Sequence, residues 1–180
     1  MKLLGSVAAA AVIVTAVGLA ASVGAAGDKI AFPGELAVLY ATLDSAEDGR
    51  QLSSSGQFRE LYTSQAALDA ARAGQPLPYG TVVVRVRYDV LLDAKGAPVK
   101  DANGRLIKTK LLGYGVMEKR AGWGAEYPET VRNGEWEYQP FTAGKVPNTK
   151  ANVAACFACH RAVQKQDFVF SYDQMRAAKQ

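Results

Sequence analysis

The stretch Thr81-Val-Val-Val-Arg-Val-Arg-Tyr-Asp-Val-Leu-Leu92 decides the fold class of this chain. Every second position of it is apolar or aromatic, and together these positions form one row: Val82, Val84, Val86, Tyr88 and Val90. The intervening positions form a more polar row: Thr81, Val83, Arg85, Arg87 and Asp89. A period of two is typical of a half-buried β-strand, because successive side chains point to opposite faces of a sheet. We therefore predict a strand over 81–92.

The residues that follow predict an antiparallel partner for this strand. The segments 93–96 and 101–104 each begin with Asp and end with Gly. Asp bonds to its own backbone in tight turns, and Gly accepts the positive φ that such turns need. A calcium loop is the alternative for the two Asp residues, but the remaining oxygen ligands are missing. The segment 106–119 then has the pattern of a returning strand.

Shorter patterns complete the predicted architecture. Strands are expected over 58–62, 135–141 and 167–170, and helices over 35–43, 65–73, 151–164 and the last ten residues. Thr63 or Ser64 is a candidate N-cap for the second helix, and Asn148 or Thr149 for the third. Loops are expected over 45–55 and 122–134. Strands and helices do not alternate regularly, so we predict an α+β fold: a mainly antiparallel sheet with a few short helices.

The first 26 residues differ from the rest of the chain. Lys2 precedes a run without charged side chains, and the small residues Val23-Gly-Ala-Ala26 close this run. A basic start, an apolar middle and a small-residue exit are typical of a secretory signal peptide. An uncleaved membrane anchor is the alternative, because a run of this length can span a bilayer. We predict cleavage after Ala25 or Ala26 and export to the periplasm.

Residues 27–180 have the length of one compact domain, long enough to bury a core without disulfides. The whole chain has a net charge of +4, with 21 Lys and Arg against 17 Asp and Glu. This excess is too diffuse to indicate nucleic-acid binding. No linker and no second long apolar run follow the first segment. The composition therefore excludes multi-domain, disordered and polytopic membrane proteins.

The segment Cys156-Phe-Ala-Cys-His160 is the part of the sequence that indicates chemistry. It contains both cysteines and the only histidine of the chain. Cys-x-x-Cys-His is the attachment motif of c-type haem. Two thiols one helical turn apart can add to the two vinyl groups at one haem edge, and the adjacent His then ligates the iron. The motif predicts one covalent haem c on a C-terminal attachment helix, with His160 as the iron ligand.

Three other uses of this motif stay open. A redox dithiol is one, although that motif usually lies in a βαβ setting that is absent here. A zinc site is another, but no further Cys or His exists to complete it. A short-range disulfide is the third, because the chain is predicted to be exported.

The single histidine also limits the sixth coordination position of a haem iron. A second His ligand is impossible, so this position is empty, holds water or is taken by Met, Lys or Tyr. Met117 and Met175 are the candidate methionines of residues 27–180, although buried methionines usually fill cores. We favour an open distal side that accepts a small ligand.

The order and spacing of five segments resemble the cytochrome P-460 family, which includes the cytochromes c′-beta. The resemblance covers about 58–170, and 27–56 resemble the family poorly. The segments are Pro78-Tyr-Gly-Thr-Val-Val-Val84, Val116-Met-Glu-Lys119, Gly134-Glu-Trp-Glu-Tyr138, the haem motif, and Asp167-Phe-Val-Phe170. The resemblance implies a small homodimer with a mainly antiparallel sheet and a five-coordinate haem c near the C-terminus. It also implies either hydroxylamine oxidation or the binding of nitric oxide and carbon monoxide.

The resemblance assigns a position to a lysine that cross-links the porphyrin in cytochrome P-460, and here this position is Arg85. Arg stays protonated and lacks the free nitrogen that such a bond needs. The chain therefore resembles the c′-beta branch more closely, unless Lys108, Lys110 or Lys119 substitutes. Arg85 is expected near a haem propionate or on the distal side, with a solvated strand residue as the alternative.

The enzyme branch also carries a distal carboxylate and a distal arginine. The carboxylate position falls on Tyr114 or Gly115, and Tyr114 is our candidate for contact with the cofactor. Glu118 shares a strand face with Tyr114 and is the candidate general base, with an exposed strand-end charge as the alternative. Arg59 matches the distal arginine, with a surface residue as the alternative.

Together these observations predict a periplasmic mono-haem c-type cytochrome with an open distal site for small ligands such as nitric oxide. A hydroxylamine-oxidising enzyme that uses Glu118 and Arg59 is the first alternative. An electron carrier with Met117 or Met175 as sixth ligand, and with a redox partner protein, is the second.

Overall fold

A five-stranded antiparallel sheet, in which each strand pairs with the next one in sequence, forms the centre of the fold. The computed structural model describes residues 29–34, 41–44 and 56–178. Its strands are β1 (Ala41–Asp44), β2 (Phe58–Thr63), β3 (Val82–Val90), β4 (Lys108–Lys119) and β5 (Trp136–Phe141). Antiparallel pairing of successive strands needs no crossover connection of the kind that joins parallel strands.

Short helices accompany the sheet. They are α1 (Gln65–Arg72), α2 (Val153–His160) and α3 (Tyr172–Ala177), with 3-10 helices at Trp123–Glu126 and Arg161–Gln166. The predicted α+β class, with a mainly antiparallel sheet and a short C-terminal helix, is confirmed. Of the two predicted candidates, Ser64 caps α1, because its side chain accepts a hydrogen bond from the Ala67 N–H. Thr63 is the last residue of β2. Among the described residues, no helix is both long and apolar enough to cross a membrane.

The predicted hairpin between β3 and β4 has the expected turn chemistry. Asp93 Oδ1 accepts hydrogen bonds from the backbone N–H groups of Lys95 and Ala97, at 2.8 and 2.9 Å. Asp101 makes the same pair of bonds one turn later. Both carboxylates are therefore occupied by backbone donors, as the turn interpretation requires.

Several predicted elements differ from the structure. The helix expected over 35–43 is wrong at 41–43, which lie in β1; its first part, the loop at 45–55 and the predicted signal segment lie outside the described residues. The helix expected over 151–164 begins later, because Asn152 rather than Asn148 or Thr149 caps it. It ends at His160, where a 3-10 helix continues the chain. The strand expected over 167–170 does not form, because Asp167 and Phe168 have left-handed backbone, at φ 52° and 61°.

The sheet has two covered faces. We call the one packed against the helices the helix face; its strand residues include Leu61, Val83, Met117, Trp136 and Tyr138. The other is the N-terminal face, where Ile30 and Phe32 cover a second cluster from β3, β4 and β5: Val84, Val86, Tyr114, Val116 and Phe141. Because side chains alternate along a strand, each candidate site residue that lies in a strand belongs to one face of the sheet only.

Candidate functional site

Helix α2 is held against the sheet by Phe157, which lies between the two cysteines of the motif. The Phe157 side chain is buried, and its ring centroid lies 4.8 Å from those of both Tyr127 and Tyr138. With Phe157 facing inward, Cys156 is half-buried and Cys159 is exposed, and both are free thiols. The helix therefore presents the two thiols one turn apart, at the edge of the core.

A second contact fixes the middle of α2 to the sheet. The fully buried Asn133 donates from Nδ2 to the Phe157 carbonyl at 2.9 Å and to the Tyr138 hydroxyl at 3.0 Å. A buried amide that satisfies two acceptors at once ties their positions together, since losing either bond leaves a polar group unpaired. Asn133 thereby links α2 to β5 directly beneath the motif.

His160, the last residue of α2, has its ring fixed on three sides. Its Nδ1 lies 2.7 Å from the carbonyl oxygen of Phe168. The ring centroid lies 4.7 Å from that of Tyr138 and 5.1 Å from that of Phe170. A carbonyl can only accept, so Nδ1 carries the proton and Nε2 keeps a lone pair that is free for a metal.

The electrostatic surroundings also keep His160 neutral. Burial lowers the pKa of His160 below its ordinary value, and the positive charge of Arg85 lowers it further. The bond to the Phe168 carbonyl opposes both effects. A neutral imidazole is the form that ligates a metal ion.

The segment that presents the Phe168 carbonyl has an unusual backbone. Asp167 and Phe168 both lie in the left-handed region, which bulky residues rarely adopt. The Phe168 N–H donates to the Val163 carbonyl at 3.1 Å, and the Phe168 side chain is buried in the core of the helix face. Asp167 Oδ2 accepts from the Leu77 N–H at 2.9 Å and from Lys119 Nζ at 2.8 Å.

Arg85 is brought together with the haem motif. It pairs with Gly115 across β3 and β4, and its guanidinium lies over that glycine, 3.5 to 3.9 Å from where a Cβ would stand. Its charge acts on both thiols of the motif and on His160. Arg85 is accessible to solvent in the free chain, but surrounding protein atoms partly desolvate it. This desolvation, with repulsion from Arg87 and Arg59, lowers the pKa of Arg85.

Two further arginines lie on the same face of the sheet as Arg85. Arg59 in β2 pairs with Arg87 in β3, and alternation places both side chains with Arg85. Nε of Arg87 is buried and lacks a hydrogen-bond partner within the part of the chain that the structure describes. The helix face therefore carries three neighbouring guanidinium groups, of which Arg85 interacts with the motif. The mutual repulsion of such groups favours an anionic neighbour.

Tyr114 and Glu118 lie on the opposite face of the sheet, so the structure separates them from the motif. The Tyr114 ring packs against Phe32, at a centroid distance of 4.8 Å. Glu118 pairs with Val82 and Glu137 in the sheet and makes an ion pair with Arg120. The period of two placed these residues on one face correctly, but this is the N-terminal face. Gly115 is the residue of this segment that faces the motif.

The two candidate methionine ligands are core residues. Met117 lies on the helix face and Met175 in α3, with 6% and 0% of their surfaces exposed. Both belong to the same hydrophobic cluster as Trp136 and Phe157. This placement is that of core filling rather than of a side chain kept available for iron.

The residues present fit a haem group and fit zinc poorly. The site combines the two free thiols of α2 with the His160 imidazole, whose Nε2 is free, and with the accessible guanidinium of Arg85. The unpartnered Nε of Arg87 lies on the helix face as well. Within the described ranges, no group of three or more His, Cys, Asp and Glu side chains could hold a metal ion. A metal that needs several protein ligands therefore has no suitable site there.

Sequence reasoning missed the supports of His160. The Phe168 carbonyl, the Tyr138 and Phe170 rings and the Lys119–Asp167 ion pair were not predicted. The segment 167–170 did carry a signal, because two aromatic residues follow the haem motif closely. Their β-propensity suggested a strand, whereas contacts to the core select a left-handed turn.

Comparison with known proteins identifies the family. The model of the Cytochrome P460 family matches residues 37–171, which include the sheet, α2 and the motif. No curated protein matches the chain. The match covers most of the chain and agrees with the site described above. This chain therefore belongs to the cytochrome P460 family, a family of haem-containing cytochromes.

Proposed function

We propose that this protein is an exported, periplasmic mono-haem c-type cytochrome whose distal side binds a small ligand such as nitric oxide. The observation that carries the proposal is the state of His160: its Nδ1 is occupied by the Phe168 carbonyl, and its Nε2 is left free. Histidine ligands of metals almost always have such a partner at the other ring nitrogen, because that bond fixes the tautomer and the orientation of the imidazole. The signal-peptide pattern of 1–26 supports export.

Cys156 and Cys159 would hold the haem covalently. Both thiols are free, and they lie on one short helix at the spacing that the two vinyl groups of a haem require. Burial raises the pKa of the Cys156 thiol, whereas the nearby charge of Arg85 lowers it. Because Cys156 is only half-buried and Cys159 is exposed, both thiols would be available for attachment when the haem is delivered.

Arg85 would contact an anionic group of the haem. Its positive charge interacts with both thiols and with His160. Arg59 and Arg87 lie on the helix face too. The propionates of a haem supply the negative charge that this group of arginines favours. In this role Arg85 helps to orient the haem, and it has no free nitrogen with which to form a cross-link.

The sixth coordination position would be open. His160 is the only histidine of the chain, and Met117 and Met175 are packed in the core. When bound, the haem supplies an iron centre that takes up small molecules such as nitric oxide. The protein would hold His160 and orient the haem, and the side of the haem opposite His160 would be left for the small ligand.

The placement of Glu118 favours this function over hydroxylamine oxidation. A general base must reach the proton that it removes, directly or through one water molecule. Glu118 points to the N-terminal face, and its carboxylate pairs with Arg120. Gly115, which takes its place on the helix face, has no side chain to act as a base.

The test is ligand titration of the purified haem-loaded protein. The reduced protein should have the absorption spectrum of five-coordinate, high-spin iron and should bind nitric oxide and carbon monoxide at one site per chain. The variants Met117→Leu and Met175→Leu should keep that spectrum. A low-spin reduced spectrum that either variant converts to high-spin would contradict the proposal. Failure to bind either gas would contradict it as well.

A further inference from the structure

We propose that the Lys119–Asp167 ion pair is a positioning device that holds the Phe168 carbonyl on His160 and thereby sets the donor strength of this ligand. The inference rests on the proposed function, in which His160 ligates the iron. The side-chain hydrogen bonds and ion pair of Lys119 and Asp167 join them to each other and to Leu77, outside the motif. They act through the backbone of the residue next to Asp167.

A continuous series of short contacts connects the sheet to the imidazole. Lys119 Nζ lies 2.8 Å from Asp167 Oδ2, and the same oxygen accepts from the Leu77 N–H at 2.9 Å. Asp167 is bonded covalently to Phe168, whose carbonyl lies 2.7 Å from His160 Nδ1. Each non-covalent link has the distance of a good hydrogen bond.

The anchor of this series is rigid. Lys119 ends β4, pairs with Trp136 in β5, and donates also to the Leu77 carbonyl at 2.8 Å. Its side chain is 10% exposed and that of Asp167 is 15% exposed, so solvent screens the pair only weakly. Removing one member of such a pair leaves the other charge buried without compensation.

The segment that the pair holds needs external support. Asp167 and Phe168 are consecutive non-glycine residues with left-handed backbone, at φ 52° and 61°. Residues persist in such conformations only where their surroundings overdetermine them. The ion pair at Asp167 and the buried ring of Phe168 supply that support. Without the pair, the segment is expected to relax and to carry the Phe168 carbonyl away from His160.

This displacement would change the ligand in a defined direction. A strong acceptor at Nδ1 makes the imidazole a better electron donor through Nε2. A weaker contact makes it a poorer donor, which disfavours oxidised iron more than reduced iron. The iron–histidine stretching frequency should therefore fall, and the midpoint potential should rise.

The test uses three variants of the haem-loaded protein: Lys119→Met, Asp167→Asn and the two combined. Loss of charge alone would shift the potential in opposite directions in the single variants. In the double variant, both charges are removed, and a shift there reports the position of the carbonyl. Asp167→Asn keeps an oxygen that can accept from the Leu77 N–H, so this variant is expected to fold even if Lys119→Met does not.

The control is Lys29→Met, which breaks the contact of Lys29 with the fully buried Glu137 on the N-terminal face. It should lower stability and leave the iron–histidine frequency and the potential unchanged. The proposal expects a lower frequency in all three variants and a raised potential in the double variant. A wild-type frequency and potential in the double variant would overturn it. A wild-type protein without an iron–histidine band would instead overturn the proposed function on which it rests.

Discussion

The Nδ1 atom of His160 lies 2.7 Å from the carbonyl oxygen of Phe168, which is eight residues later in the chain. Helix α2 ends at His160, the chain passes through a 3-10 helix, and two left-handed residues return it to the imidazole. The proximal side of the proposed haem is thus built from one short local segment. The sheet contributes the surface on which this segment rests.

Glu118→Gln should leave gas binding and any hydroxylamine turnover at wild-type levels. The Glu118 side chain lies on the N-terminal face, so it cannot reach a ligand on the motif side of the sheet. Binding constants for carbon monoxide and turnover with hydroxylamine measure the effect. A large loss of turnover with unchanged folding would contradict the assignment of faces.

The haem of the wild-type protein should have no bond to a lysine. Arg85 occupies the position that the family resemblance gives to the cross-linking lysine, Lys119 is held by Asp167, and Lys108 pairs with Glu60. The absorption spectrum in alkaline pyridine should be that of ordinary haem c. Arg85→Lys, which supplies an amine at this position, is the comparison variant. A red-shifted reduced band that persists in pyridine for the wild type would contradict the prediction.

The fold was predictable from the sequence wherever a local pattern matched the final packing. The alternation in β3, the Asp and Gly turns and the Ser64 cap all depend on neighbouring residues, and all are found. The residues 41–43 were expected in a helix, but pairing with β2 selects a strand. Long-range pairing of this kind leaves little trace in a short segment.

The site was predictable to the same extent. The five-residue motif by itself predicts haem attachment, because its spacing matches the two thioether bonds and the adjacent iron ligand that c-type haem requires. The face of the sheet that the motif contacts depends on how α2 packs, and this packing cannot be read from the local sequence. For this reason Glu118 and Tyr114 were wrongly expected near the motif. The bond between His160 and Phe168 depends on two backbone conformations that β-propensity argues against.

Asn133→Ala should destabilise the protein by about 2 kcal/mol, the typical cost of leaving buried hydrogen-bonding groups unpaired. The variant removes the donor of both the Phe157 carbonyl and the Tyr138 hydroxyl. Denaturant unfolding of the haem-loaded protein measures the free energy. Asn103→Ala, in an exposed turn, is the matched control and should have little effect. Equal effects of the two substitutions would show that Asn133 does not anchor α2.

Ionisation of Glu137 should make stability depend on pH. Burial raises the pKa of Glu137 above its ordinary value, although the Tyr127 hydroxyl and Lys29 oppose the shift. The folded protein therefore binds a proton more tightly than the unfolded chain does. This contribution is complete below the unfolded pKa and is lost as the pH rises through the folded pKa.

Glu137→Gln should remove this contribution and flatten the dependence of the unfolding free energy on pH, measured from about pH 4 to about pH 7. The exposed Glu129→Gln is the control and should keep the wild-type slope. If Glu137→Gln has the wild-type slope, then Glu137 does not titrate differently in the folded and unfolded states.

Covalent attachment of haem through Cys156 and Cys159 is the central claim, and extraction with acidified acetone followed by a pyridine spectrum tests it most directly. The haem of the wild-type protein should stay with the polypeptide and give the spectrum of haem c. The double variant Cys156→Ala with Cys159→Ala should release any haem that it binds. Release of the wild-type haem into the acetone, or a wild-type chain exported without haem, would contradict the account.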